Sequence, residues 1–132
     1  MAAEKRFENK VKEYLEKQGI YPFAIEKHKI IARPIGYYDK RWGGGKYTKK
    51  GLPDMHIIVH GISLEVELKA EDGRPSNLQL RNLKQIDDSG AYAILLYPNQ
   101  WELFKNFLDC IIEYDQTNAA LNYDLLKRRW SG

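Results

Sequence analysis

Between Asp54 and Lys69 the chain reads DMHIIVHGISLEVELK, sixteen residues in which apolar and polar side chains alternate almost without a break. Successive side chains of a strand point to opposite faces, so this alternation fixes what each face carries. Strands over Asp54 to His60 and Ser63 to Lys69 are predicted, joined by Gly61 and Ile62 in a type II′ hairpin turn. Residue i then lies opposite 123 − i, and one turn sets the whole register. Met55, Ile57, Val59, Leu64, Val66 and Leu68 take one face, which is wholly apolar and must meet a core. Asp54, His56 and Ile58 share the other face with Glu65, Glu67 and Lys69.

In that register Asp54 and Glu67 are diagonal neighbours, with Cβ atoms about 7 Å apart or less, a span that a divalent cation bridges through carboxylate oxygens. Two close carboxylates repel and raise one another's pKa unless a cation lies between them. Magnesium takes oxygen ligands and is commonly held by one or two carboxylates plus substrate phosphate. With Lys69 beside the pair, the natural chemistry is metal-assisted phosphodiester hydrolysis. On pairing alone, the same residues fit an ordinary cross-strand charge ladder on a solvent-facing strand.

The flanking segments supply helices and further strands. Phe7, Val11, Tyr14 and Leu15 follow helical spacing within Glu4 to Gln18, and at about 100° per residue Glu8 falls at the border of their stripe, able to reach toward the sheet. A first strand is expected around Phe23 to Arg33. Tyr37 to Lys50, with Gly43, Gly44 and Gly45 among Tyr37, Tyr38, Trp42 and Tyr47, reads as a flexible basic and aromatic loop. A helix over Ser76 to Asp88, a strand over Ala91 to Tyr97, and helices near Gln100 to Ile112 and Ala119 to Arg129 complete the order αβββαβαα, a mixed sheet with helices packed on it. Gln79 lies inside the apolar stripe of the Ser76 helix. It is either a site residue needing a partner or the reciprocal member of a capping box with Ser76.

Charge is unevenly distributed. From Lys27 to Lys50 there are eight Lys or Arg against the single acid Asp39, a net of +7, while the remaining 13 bases and 17 acids give −4. A basic stretch on an otherwise acidic chain suits a polyanionic partner, although a solvated charged loop has the same composition. Lys40, Arg41, Lys46, Lys49 and Lys50, which lead directly into Asp54, are the candidate phosphate contacts. Trp42 and Tyr47, with Tyr37 and Tyr38, could stack on unpaired bases or pack on the surface.

The residues Gly51-Leu52-Pro53-Asp54, then Glu67-Leu68-Lys69, then Gln79, with Glu8 on a preceding helix, resemble the PD-(D/E)xK nuclease superfamily. The GxPD, ExK and following Gln are most similar to the VRR-NUC group, especially its short stand-alone phage-type versions. Archaeal-type Holliday-junction resolvases are nearest by pattern. The resemblance spans about Phe7 to Tyr97 and implies an α/β, restriction-endonuclease-like αβββαβ core with a magnesium-dependent DNA endonuclease activity, manganese able to substitute. By motif match, Asp54 and Glu67 ligate the metal with the Leu68 carbonyl, Lys69 orients or activates water, Gln79 supports the site, and Glu8 adds a carboxylate. Glu65 is an extra acid on the same face, but the ExK spacing favours Glu67. A module of this fold that binds nucleic acid without cleaving it is the alternative, and a protein-docking carboxylate face is a third.

Length and composition bound the rest. At 132 residues, with 43% hydrophobic and 30% charged residues, the sequence fits one globular domain, the motifs in about 7–97 and helices in about 100–130. No apolar run approaches the roughly 20 residues of a membrane span, and MAAEKRFENK lacks the apolar core of a signal peptide, so a soluble cytoplasmic protein is expected. The lone Cys110 excludes an intrachain disulfide and a multi-cysteine zinc site. His56 and His60 are about 13 Å apart along the strand, too far for one zinc. Lys127, Arg128 and Arg129 read as a solvated helix end. Trp101, Phe104, Leu108, Ile111 and Ile112 are core or an oligomer contact. A homodimer is expected, because a symmetric four-way junction needs paired cuts.

Overall fold

The computed structural model describes residues 2–22, 24–26, 29–31, 36–40 and 50–131. Helix α1 (Ala3–Lys17) is followed by β1 (Tyr21–Pro22), β2 (Ala24–Glu26), β3 (Lys29–Ile31), β4 (Gly36–Lys40), β5 (Met55–Val59) and β6 (Ile62–Leu68). Then come α2 (Asn77–Asp88), β7 (Tyr92–Leu96), α3 (Trp101–Ile112) and α4 (Gln116–Lys127), with short 3-10 turns at 98–100 and 128–131. The fold is α/β. Five strands form a mixed sheet in the order β1-β4-β5-β6-β7, in which β1 with β4 and β6 with β7 are parallel and the inner pairs antiparallel. Strands β2 and β3 form a separate antiparallel pair.

The apolar face of the β5–β6 hairpin is core, as its alternation requires. Met55, Ile57, Val59, Leu64, Val66 and Leu68 are buried with Ile94 and Leu96 of β7. Phe7, Val11 and Leu15 of α1 and Phe104, Phe107 and Leu108 of α3 join the same cluster. Trp101 stacks on Phe104 and meets Phe7 and Tyr14 edge-on, binding α3 to α1. On the opposite face α2 covers β7, where Leu83 packs with Ala93, Leu95 and Tyr97. The apolar side of α3 is thus consumed by the core of the chain itself. What remains exposed among large apolar residues of α4 is Leu121 and Leu125.

Four expectations change. The hairpin turn is His60-Gly61, not Gly61-Ile62, because Val59 pairs with Ile62. Both turn residues have positive φ, 53° and 78°, the type I′ geometry whose twist matches that of the strands. Residue i therefore faces 121 − i. The shift of two preserves which residues share a face but moves Asp54 from a diagonal to a direct position across from Glu67. Second, Gly36–Lys40, expected as loop, is a strand against β5, and its Tyr38 is buried in the core opposite Ile57 and so cannot stack on a base. Third, the strand expected around Phe23 to Arg33 is two short ones, β2 and β3, with β1 before them. Fourth, the last helix begins at Gln116 rather than near Ala119, because the Asp115 carboxylate accepts from the Asn118 amide as its cap. Among the described residues no helix is long and apolar enough to cross a membrane.

Candidate functional site

The site is built at the end of β6 where it leaves the sheet. The turn before β5 is set by the sequence Lys50-Gly51: Gly51 has φ +77°, and a Cβ there would stand 2.8 Å from Leu78 Cγ and 2.9 Å from Asn82 Nδ2 of α2. Only glycine permits both the left-handed backbone and that close approach. Asn82, buried, donates to the Lys50 carbonyl at 2.9 Å and so ties the turn to α2. Asp54 follows, with its Oδ2 accepting from the Leu68 amide at 2.9 Å across the strand pair. Asn82 was not anticipated. Its signal was present, for at 100° per residue it falls in the middle of the α2 apolar stripe, where a polar side chain needs a reason.

Glu67 is the most perturbed group of the site. It is 2% exposed. Its Oε1 accepts from Gln79 Nε2 at 2.8 Å and lies 3.4 Å from Lys69 Nζ, whereas Oε2 is buried with no hydrogen-bond partner among the described residues. Burial, and then the charge of Asp54, push its pKa up to about 8 against the opposing pull of Lys69. The side chain of Lys69 is itself largely buried.

Gln79 makes both sets of contacts that the sequence left open, the capping box and a partner on the sheet. Its Oε1 accepts from the Ser76 amide at 2.9 Å and its backbone amide donates to Ser76 Oγ at 3.1 Å, completing the capping box. Its remaining amide group holds Glu67. The α2 N-terminus and the Glu67 carboxylate are therefore fixed by one side chain.

Glu8 reaches the sheet, as its position on α1 implied, but its carboxylate is held by cations. Lys5 Nζ is 2.6 Å from Oε2, Lys12 Nζ is 3.4 Å away, and Lys40 of β4 pairs with Oε1. Burial would raise the pKa of Glu8, yet the hydrogen bonds from Lys40 and Lys5 and the charge of Lys12 prevail and hold it down at about 2. A pocket of about 160 Å³ brings Glu8 together with Lys5, Lys40, Asp54 and Leu68. Glu65 is set apart from Asp54, since its Oε1 engages His56 Nδ1 at 2.6 Å and Ser63 Oγ at 3.1 Å. His60 bonds Tyr114 and the Ile112 carbonyl, tying the hairpin turn to the end of α3.

Of the expected phosphate contacts, Lys40 and Lys50 are exposed, and Arg41, Trp42, Lys46, Tyr47 and Lys49 lie outside the described residues. Arg129 stacks on Tyr97, 3.8 Å from the ring centre, and donates to Asn99. Among the described residues no three His, Cys, Asp or Glu side chains cluster as a metal site. Comparison with family models, with curated proteins and with solved structures yields no match for the chain.

Proposed function

We propose that the protein is a magnesium-dependent endonuclease that hydrolyses DNA phosphodiester bonds, with branched DNA as its substrate. The observation that carries this reading is Glu67: a nearly inaccessible carboxylate whose pKa is raised by burial and then by a second carboxylate, one oxygen oriented by Gln79 and Lys69 and the other without a partner among the described residues. A buried acid so arranged is costly as a mere structural element, and a cation on the orphan oxygen would relieve both the desolvation and the repulsion from Asp54. The oxygen-only donor set suits magnesium, with Asp54, Glu67 and the Leu68 carbonyl to hold it and waters and a substrate phosphate completing the shell. Bound through one oxygen each, Asp54, Glu67 and the Leu68 carbonyl would supply three positions, which fits an ion that usually keeps several waters.

When bound, such an ion supplies Lewis acidity, making water a better nucleophile and offsetting charge on the phosphorus oxygens. Lys69 would orient the attacking water and neutralise developing negative charge from a side chain already confined by Glu67. Gln79 would keep Glu67 in place. The basic segment that leads into Asp54 would carry the flanking phosphates. In this reading α1, β4, β5, β6, α2 and β7 are the six elements of the αβββαβ core, and β1, β2 and β3 are additions to it. A homodimer would supply the paired cuts of a four-way junction, with Leu121 and Leu125 of α4 among the exposed apolar residues available for contact between copies.

Incubation of the protein with linear, flap, splayed and four-way DNA tests the reading. Cleavage of a branched substrate that requires magnesium and stops on chelation is the expected result. Retention of DNA without any cut across the panel would favour the non-cleaving module.

A further inference from the structure

Lys69 stands where the chain leaves the sheet. Its amide donates to the Leu96 carbonyl of β7 at 3.0 Å, and the backbone then turns away toward α2. A lysine stem has much rotamer freedom to lose, so an ammonium group held in one place needs something packed along that stem. Here residues 70–73 fold back over it. A Cβ at Gly73 would stand 3.4 Å from Lys69 Cδ and 3.5 Å from Lys69 Cβ, and the Gly73 amide closes the turn by donating to the Ala70 carbonyl at 2.9 Å.

Two ties hold this loop, and both come from the chain just after β7. The hydroxyl of Tyr97, a side chain buried against α2, donates to the Gly73 carbonyl at 3.0 Å, and Glu71 Oε1 accepts from the Asn99 amide. Arg129, in the 3-10 turn after α4, engages both. Its guanidinium lies 3.8 Å from the centre of the Tyr97 ring, and Nη1 donates to Asn99 Oδ1 at 2.8 Å. A planar guanidinium stacks through its face and donates through its edge at once, which an ammonium group cannot do. The helix end that reads as solvated in the sequence is thus fastened to the loop that covers Lys69.

We propose that Arg129, acting through Tyr97 and Asn99, is a positioning residue for Lys69: it locks the 70–73 loop over the lysine stem and keeps the ammonium group beside Glu67. What Lys69 does there rests on the nuclease reading, whereas the brace is measurable without cleavage. Trace acetylation with acetic anhydride, read by mass spectrometry, gives the reactivity of Lys69 relative to Lys105 of α3, a part-buried lysine away from the loop that controls for general loosening of the fold. Arg129→Ala, and Tyr97→Phe, which keeps the ring and removes the hydroxyl, should each raise that ratio about fivefold, the change in open population that one hydrogen bond is worth. DNA affinity and its salt slope should stay at the parent values, while single-turnover cleavage at saturating DNA falls about tenfold. An unchanged Lys69 ratio in both variants would overturn the brace. A salt slope lowered by about one in Arg129→Ala, with Lys69 reactivity as in the parent, would make Arg129 a phosphate contact instead. A parent protein that cuts no DNA, with the Lys69 ratio still raised in the variants, would remove the nuclease reading and leave the brace in place.

Discussion

If Glu67 holds a magnesium ion, binding should release a proton from it, and its raised pKa sets roughly how much. Burial and the Asp54 charge put the Glu67 pKa at about 8, so at pH 7 the metal-free carboxyl is about 90% protonated and at pH 9 about 10%. A ligand must be ionised to bind metal. Calorimetry in two buffers of different ionisation enthalpy should therefore report about 0.9 proton released per magnesium at pH 7 and about 0.1 at pH 9. The apparent dissociation constant should fall about fiftyfold between pH 6 and pH 8, following the ionised fraction, and level off above. Glu67→Gln should abolish the release. A constant affinity from pH 6 to pH 8 with no proton exchange would refute the reasoning, because it would mean either that Glu67 is ionised without metal or that it does not bind one.

The same shift governs the stability of the metal-free protein. The folded pKa lies above the ordinary 4.5, so the contribution of Glu67 is complete below pH 4.5 and is lost as pH rises through 8, on the order of 3 to 5 kcal/mol in all. Melting of the chelated protein between pH 5 and pH 8.5 checks the sign, and Glu67→Gln should flatten the curve. Ser76→Ala removes only the cap and should cost about 1 kcal/mol with the rate per folded molecule unchanged, whereas Gln79→Ala should lose both stability and activity. Asn82→Ala frees the Lys50 carbonyl and the turn that carries Asp54, so denaturant unfolding should show a loss of about 1 to 3 kcal/mol and the cleavage rate should fall about tenfold.

The hairpin shows why a wrong turn position still leaves Asp54 and Glu67 together. The turn was displaced by one residue, since His60-Gly61 and Gly61-Ile62 are both two-residue turns containing glycine and only the backbone sign at His60 separates them. Register moved by two, an even number, so every side chain kept its face and Asp54 stayed beside Glu67. Helices α1 and α2 were legible because their stripes have helical period, and β7 because it is a short apolar run. Strand β4 was not, since Gly36-Tyr37-Tyr38-Asp39-Lys40 has the composition of a loop and is specified by its pairing with β5. The lysine environment of Glu8 was half visible: Lys5 and Lys12 are three and four residues away on the same helix, while Lys40 is brought by tertiary structure. Gln79 looked like a choice between a cap and a site residue, and a side-chain amide has enough donors and acceptors to be both.

The central claim is that Asp54, Glu67 and Lys69 perform a hydrolytic step. Single-turnover cleavage of branched DNA in magnesium, measured beside gel-shift binding for Asp54→Asn, Glu67→Gln and Lys69→Ala, tests it most directly. Each variant should bind DNA with nearly the parent affinity and cut at least about 100-fold more slowly. Near-parent cleavage rates in all three would contradict the assignment.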